Sequence, residues 1–271
     1  MARMGKGWAK GLTAATDARI AAAAAGHRGK RYRPRKTNGV LRRSGPLDWS
    51  PGLAYVVGLL ATDGCLVSGR TQIAFVSKDV GLCVTVLRVL GRSNKIRESK
   101  TRIGSVAYRV QFGDAELYRW LLTIGLSPRK SLTLGALRVP DEHFLPLVRG
   151  LLDGDGSIIN KVYRADTGAP RPYYWEYLQT RFVSASIAHL TWVASALQRI
   201  AGITGYLHRN GTTSAGNPMY ELRYGKPASI DLLQLLYHDA DAPCLERKRA
   251  IWSSYAARHA VGPARMKLRS S

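Results

Sequence analysis

Acidic side chains are scarce in this chain: 18 aspartates and glutamates stand against 41 lysines and arginines in 271 residues, a formal net charge of +23. A field of that sign and size draws polyanions, nucleic acid first among them. Cysteine is scarcer still. Cys65, Cys83 and Cys244 form an odd, scattered set without a CxxC spacing, so no disulfide framework is expected; they read as reduced core thiols of an intracellular protein, in cytoplasm or nucleoid. The six histidines are spread singly, which argues against a structural zinc site. No apolar run reaches the roughly 18 residues of a bilayer span, and the N-terminus lacks a hydrophobic signal core, so no membrane partner is expected. What is present in quantity is apolar content, 45% of the chain, enough to fill a globular core.

Residues 1–46 differ from the rest. They hold twelve basic residues against one acid, Asp17. Thr16 or Asp17 can cap a short Ala-rich helix through Ala25, and a basic run follows in which Lys30, Arg31, Arg33 and Arg35 are candidate phosphate contacts. Such an arm is expected to order on a nucleic-acid backbone.

From Leu47 the pattern becomes globular, and it occurs twice. Leu53 to Leu66, LAYVVGLLATDGCL, and Phe144 to Ile158, FLPLVRGLLDGDGSI, are apolar helical stretches that run into Asp-Gly. Each places an acid at a helix C-terminus, against the negative end of the macrodipole, with a glycine expected to close the helix in a left-handed cap. Further strings recur in register: Phe75-Val76-Ser77 with Phe182-Val183-Ser184, Tyr108–Gly113 with Tyr220–Gly225, and Leu126–Lys130 with Cys244–Lys248. The offset between copies only grows along the chain, as insertions into one copy of a duplication would make it. Asp166 to Trp175, Pro-rich and aromatic, reads as one inserted loop. Asp79 is placed to cap a helix from Val80, and the order in each half is helix, two strands, helix, two strands, helix.

These strings resemble the LAGLIDADG homing endonucleases in their two-repeat, single-chain form, over about Leu47 to Tyr255. The resemblance implies an α+β fold, a duplicated αββαββα with two antiparallel β-sheets forming a DNA-binding saddle and two motif helices at a pseudo-two-fold interface. Small residues, Gly58 with Ala54 or Ala61 and Gly150, would let those helices approach. The parts are then a basic arm (1–46), a first repeat (47–140), a second repeat (141–260) and a basic tail (261–271). By the same resemblance the catalytic acids are Asp63 and Asp155, and the carbonyls of Thr62 and Gly154 join them as metal ligands; because Ala61 stands at the position of Asp153 in the other copy, Asp153 is read as structural or as supporting the ligands from behind. Lys130 and Lys248 match the active-site lysine, Lys78 a solvent-ordering position held by Ala185 in the second copy, and Arg129 and Arg247 are backbone-phosphate contacts. The Lys78/Ala185 difference implies unequal nicking of the two strands.

The chemistry agrees with the residues. Phosphodiester hydrolysis needs an activated water and a stabilised leaving oxygen, and carboxylate-held divalent metals provide both. Mg²⁺ suits an all-oxygen site that keeps waters, and Mn²⁺ is expected to substitute. Calcium binding by an EF-hand loop at Asp153 fails, since Ile158 stands at the turn glycine and Arg164 at the terminal Glu. Period two puts Tyr108, Val110 and Phe112 inward with Ala107, Arg109 and Gln111 outward, and in the second copy Tyr220, Leu222 and Tyr224 inward with Glu221 and Arg223 outward. Arg, Gln and Glu read guanine, adenine and cytosine edges, and the copies differ, so the duplex target is loosely palindromic. With both half-sites on one chain, a monomer is expected. The competing reading keeps the fold without cleavage, as an intron RNA maturase or a transcription regulator.

Overall fold

The computed structural model of the chain describes residues 13, 15–27, 47–100, 104–165 and 173–262, and it falls into two units, Met1–Asn38 and Gly39–Ser271. In the first unit α1 (Ala18–His27) starts where Asp17 accepts the Arg19 amide at 2.8 Å, and it runs past the expected end at Ala25. Lys30, Arg31, Arg33 and Arg35, residues 166–172 of the expected loop and the tail from 263 lie outside the described residues. No helix among the described residues is long and apolar enough to cross a membrane.

In the second unit Ser50 accepts the Leu53 amide, and Pro51 supplies a fixed φ at a position whose N–H has no helical partner. There begin α2 (Pro51–Asp63), β1 (Gly64–Val67), β2 (Gln72–Ser77), α3 (Val80–Val89), β3 (Arg97–Lys100), β4 (Val106–Gly113) and α4 (Ala115–Thr123). The order repeats as α5 (Asp141–Gly154), β5 (Ser157–Ala165), β6 (Tyr173–Ser184), α6 (Ile187–Ala201), β7 (Tyr206–Thr212), β8 (Pro218–Tyr224) and α7 (Lys226–Leu236). The chain is thus αββαββα twice. One element is added: α8 (Glu246–Arg258) stands where the first half has only a 3₁₀ turn at Lys130–Leu132.

Each half builds one antiparallel sheet, ordered β1-β2-β4-β3 and β5-β6-β8-β7. The strand registers repeat as the sequence does. Ser77 faces Tyr108 and Ala74 faces Gln111 in the first sheet; Ser184 faces Tyr220 and Arg181 faces Arg223 in the second. Val110, Phe112, Leu222 and Tyr224 are buried, as period two requires. Ala107, expected outward, is also buried: it pairs with Ser99 of β3, and its methyl group is too short to rise clear of its neighbours. Tyr173, Tyr174 and Trp175, expected in a loop, belong to β6, where they pair with Ala165, Arg164 and Tyr163 of β5.

α2 is buried from Leu53 through Ala61 without a break, so it lies inside the unit. Its partner is α5, and glycine sets how close the two come. A Cβ on Gly58 would stand 2.3 Å from Leu147 O, and one on Gly150 would stand 2.1 Å from Tyr55 O. The expected left-handed caps are absent. Gly64 has φ −85°, and Gly156 is not among the glycines of positive φ. Space decides these two glycines instead, since a Cβ would meet Leu60 O at 2.4 Å or Leu152 Cδ1 at 2.7 Å. Asp79 does not cap α3 with its carboxylate either; that group accepts from Arg247 at 3.2 Å, while Ser77 Oγ accepts the Asp79 amide at 3.1 Å. Ser184 repeats the Ser77 contact on the Ser186 amide at 3.1 Å.

Candidate active site at two helix ends

Asp63 is the last residue of α2 and Asp155 follows the last residue of α5, so both carboxylates leave the C-terminal ends of helices in backbone contact. The ends nearly touch at Gly154, where a Cβ would stand 2.0 Å from Thr62 Oγ1 and 3.1 Å from Asp63 Oδ2. Burial, and after it the charge of Asp155, pushes the Asp63 carboxyl up to about 6. Asp155 reaches solvent, yet the cleft walls strip enough of its hydration to raise it as well, with Lys130 and Lys248 opposing.

The two lysines come together with these acids, as the repeat predicts, and both are buried. Lys130 Nζ donates to Gly64 O, just past the end of α2. Lys248 Nζ donates to Leu152 O, to Asp153 O at 3.0 Å and to Gly156 O at 2.7 Å, so it collects the carbonyls that the end of α5 leaves without helical partners. Burial lowers the Lys130 amine and brings Lys248 down to about 8, although the neighbouring carboxylates pull the other way.

Asp153 does not face this cleft. Its carboxylate is buried and accepts from Tyr55 Oη at 2.8 Å, Tyr237 Oη at 2.9 Å and the Leu245 amide at 2.7 Å. It ties α2 and α7 to the start of α8, the helix that carries Lys248. Lys78 is exposed, and no hydrogen bond or ion pair among the described residues joins it to either acid. It lines a groove shared by α3 and residues 240–247, whose Arg247 is held by Asp79. Arg129 is exposed, with φ +56°.

His189 was not singled out in the sequence. It is buried, its Nδ1–H donates to Gly135 O at 2.8 Å, and with Thr62, Asp155 and Ser184 it lines a cavity of about 40 Å³. One signal was available: His189 shares a helical face with Val193 and Leu197, both buried.

No group of three or more His, Cys, Asp or Glu gathers among the described residues. The donor set at the helix ends is therefore two carboxylates and backbone carbonyls, all oxygen. That set, with Asp63 raised by burial and by the charge of Asp155, and Asp155 raised by burial, suits a hard divalent cation that retains water better than a transition metal needing nitrogen or sulfur.

No protein-family profile matches the chain, and no curated protein matches it in sequence. Solved structures do. Meganuclease I-SmaMI bound to uncleaveable DNA with a TTGT central four superposes with a TM-score of 0.50 at 12% identity, over 79% of this chain and 91% of that one. The same protein with a TTCT central four gives 0.50 at 13% identity, over 77% and 90%. Homing endonuclease I-DmoI in complex with DNA and Ca gives 0.48 at 16% identity, over 74% and 97%. This chain has the LAGLIDADG homing-endonuclease fold.

In this LAGLIDADG fold each sheet turns one face to its helices and leaves the other open. On the first open face Arg109 and Gln111 are exposed, and the chain Arg109 Nη2 to Gln111 Oε1, then Gln111 Nε2 to Gln72 Oε1, runs along β4 and then across to β2 at 2.9 Å per step. On the second, Arg223 is half-buried, but Glu221 is only 1% exposed. That corrects the expectation of a free base-reading carboxylate: Glu221 has the predicted face, and the longer guanidinium side chains of Arg181 and Arg223 fold over it.

Proposed function

We propose that the chain is a sequence-specific endonuclease that hydrolyses both strands of duplex DNA at a long, loosely palindromic site with divalent cations, Mg²⁺ first among them. The observation that carries this reading is the juxtaposition of Asp63 and Asp155 at two helix ends, in a protein of net charge +23. A pure binder gains nothing from two desolvated acids set against a polyanion. That I-SmaMI is seen with DNA in the same fold supports duplex DNA as the partner.

Asp63 and Asp155, with the carbonyls of Thr62 and Gly154, would hold the cation, which when bound supplies Lewis-acid activation of water and phosphate. Lys130 and Lys248 anchor the carbonyls at the helix ends and favour the ionised carboxylates by charge. They hold the acid pair in place before substrate arrives. Arg129 and Arg247 lie on the surface to meet phosphates, Arg247 exchanging its Asp79 contact for one. Arg109, Gln111 and Arg223 meet base edges from the open sheet faces. With both halves on one chain it acts as a monomer, and Lys78, whose counterpart in the second repeat is Ala185, makes the two strands unequal in nicking rate.

The test is cleavage of a randomised duplex library with Mg²⁺, run beside Asp63→Asn/Asp155→Asn. Cuts clustered at one long sequence in wild type alone are expected. Retention of DNA or RNA by both proteins without any cut would overturn the reading and leave a maturase or regulator.

A further inference from the structure

A buried carboxylate on the face that meets DNA is unexpected in a chain with so few acids, and the residues around Glu221 are arranged in detail. Arg223 Nε donates to Glu221 Oε1 at 2.7 Å, Asn210 Nδ2 donates to Oε2 at 3.1 Å, and Arg181 Nη1 lies 3.6 Å from Oε2. Arg181 and Arg223 are direct partners across β6 and β8. Each has a second tether: Arg181 Nε donates to Gln179 Oε1, and Arg223 Nη2 to His208 Nε2 at 3.3 Å. His208 is in turn stacked on Tyr206 at 5.2 Å.

These contacts fix two guanidinium groups side by side. Only two of the five N–H groups of Arg223 have a protein acceptor among the described residues, and its side chain remains 36% exposed. A tethered arginine that still presents N–H groups outward suits the paired O6 and N7 acceptors of guanine in the major groove. An untethered one would first have to be ordered, at a cost in rotamer entropy. The duplicated register makes the contrast sharp. The first sheet places Ala74 and Gln111 where the second has Arg181 and Arg223, and Arg109 where the second has Glu221. Among the described residues no acid bonds to Arg109 or Gln111; the amide chain of Gln72 and Gln111 occupies that face, and amides pair with adenine.

We propose that Glu221 is a positioning residue that holds Arg181 and Arg223 as a guanine-reading pair, so that the half-site under the second sheet carries adjacent guanine contacts and the other half-site does not. The proposal rests on duplex DNA as the partner and is independent of cleavage. Its test is therefore selection by binding, from a randomised duplex library without divalent metal, followed by base preference at each position. The proteins are wild type, Glu221→Gln, Arg223→Ala, Arg181→Ala and, as a control on the other sheet, Gln111→Ala.

Wild type is expected to prefer guanine at two neighbouring positions of one half-site. Arg223→Ala and Arg181→Ala should each lower that preference at one position by about tenfold. Glu221→Gln should lower it at both by about three- to tenfold, and Gln111→Ala should change only the other half-site. A loss of affinity in Glu221→Gln with the base profile unchanged would assign it a merely structural role and sink the proposal. Because Arg223 is partly exposed, Arg223→Ala reads the same site without removing a buried group, and an unchanged profile in that variant overturns the proposal too. Selection of a duplex that stays uncut once Mg²⁺ is added would remove the endonuclease reading and leave this one standing; cutting with Mg²⁺ but no guanine preference in the selection would do the reverse.

Discussion

Asp63 carries a charge that the fold itself disfavours. Its carboxyl sits near 6 in the folded protein, whereas an unfolded chain releases the proton near the ordinary 3.8. Between those values the folded state holds a proton that the unfolded state has lost, so stability falls as pH rises through that window and stays lower above it. Partial solvent contact reduces the effect to about 1–2 kcal/mol. Asp63→Asn is therefore expected to raise the melting temperature at pH 8 and to change it little at pH 4, while abolishing cleavage. Mg²⁺ should raise the melting temperature of wild type and leave Asp63→Asn/Asp155→Asn unmoved. Melting curves at the two pH values check this; an equal difference between variant and wild type at both would show that burial does not set this acid's proton affinity.

Among the elements, the α2/α5 pair decides whether the two acids meet at all. Gly58 and Gly150 allow the backbones into contact, and the close approach at Gly154 depends on that contact. Gly150→Ala would set a methyl 2.1 Å from Tyr55 O, a backbone atom of a buried helix that cannot step aside. The expected loss is about 2–4 kcal/mol, with a loss of activity even where the protein remains folded. Gly81→Ala, in α3 with nothing within 4 Å, is the control and should be neutral or stabilising by up to about 1 kcal/mol. Denaturant titration separates the two, and similar values for both would mean that the helix contact is loose. α8 matters at this scale as well. Asp153 holds the Leu245 amide at its start, which sets Lys248 three residues later against the end of α5.

Across the whole molecule, net charge governs association. Twelve of the basic residues lie in 1–46. Binding to duplex DNA is expected to fall by about 10³-fold or more between 50 and 200 mM salt, as counterion release at several phosphates requires. Deleting 1–46 should flatten that salt dependence while the preferred sequence stays the same. Affinity measured across a KCl series, with a selection on the truncated chain, checks both; an undiminished slope would mean that the arm takes no share of the phosphate contacts.

Much of this was legible along the chain because duplication makes a pattern visible twice. The two apolar helices ending in Asp-Gly, the repeated strand strings and the Arg-Lys pairs set out the element order, and the family resemblance they carry implied the helix pair and the four side chains Asp63, Asp155, Lys130 and Lys248 that the structure gathers. Period two gave the correct face for Arg109, Gln111, Glu221 and Arg223. Depth and partners were not legible, because they depend on atoms far apart in sequence. Glu221 is buried because Arg181, forty residues earlier, lies across it. Both lysines turn to carbonyl oxygens because helix ends need donors that only folding supplies. The glycines after each motif helix are dictated by room rather than by φ, and Asp153 is structural because Tyr55, Tyr237 and Leu245 converge on it. Local pattern decided which elements form and which way their residues face; three-dimensional packing alone decided which charges are hidden, which are paired, and how closely the two acids approach.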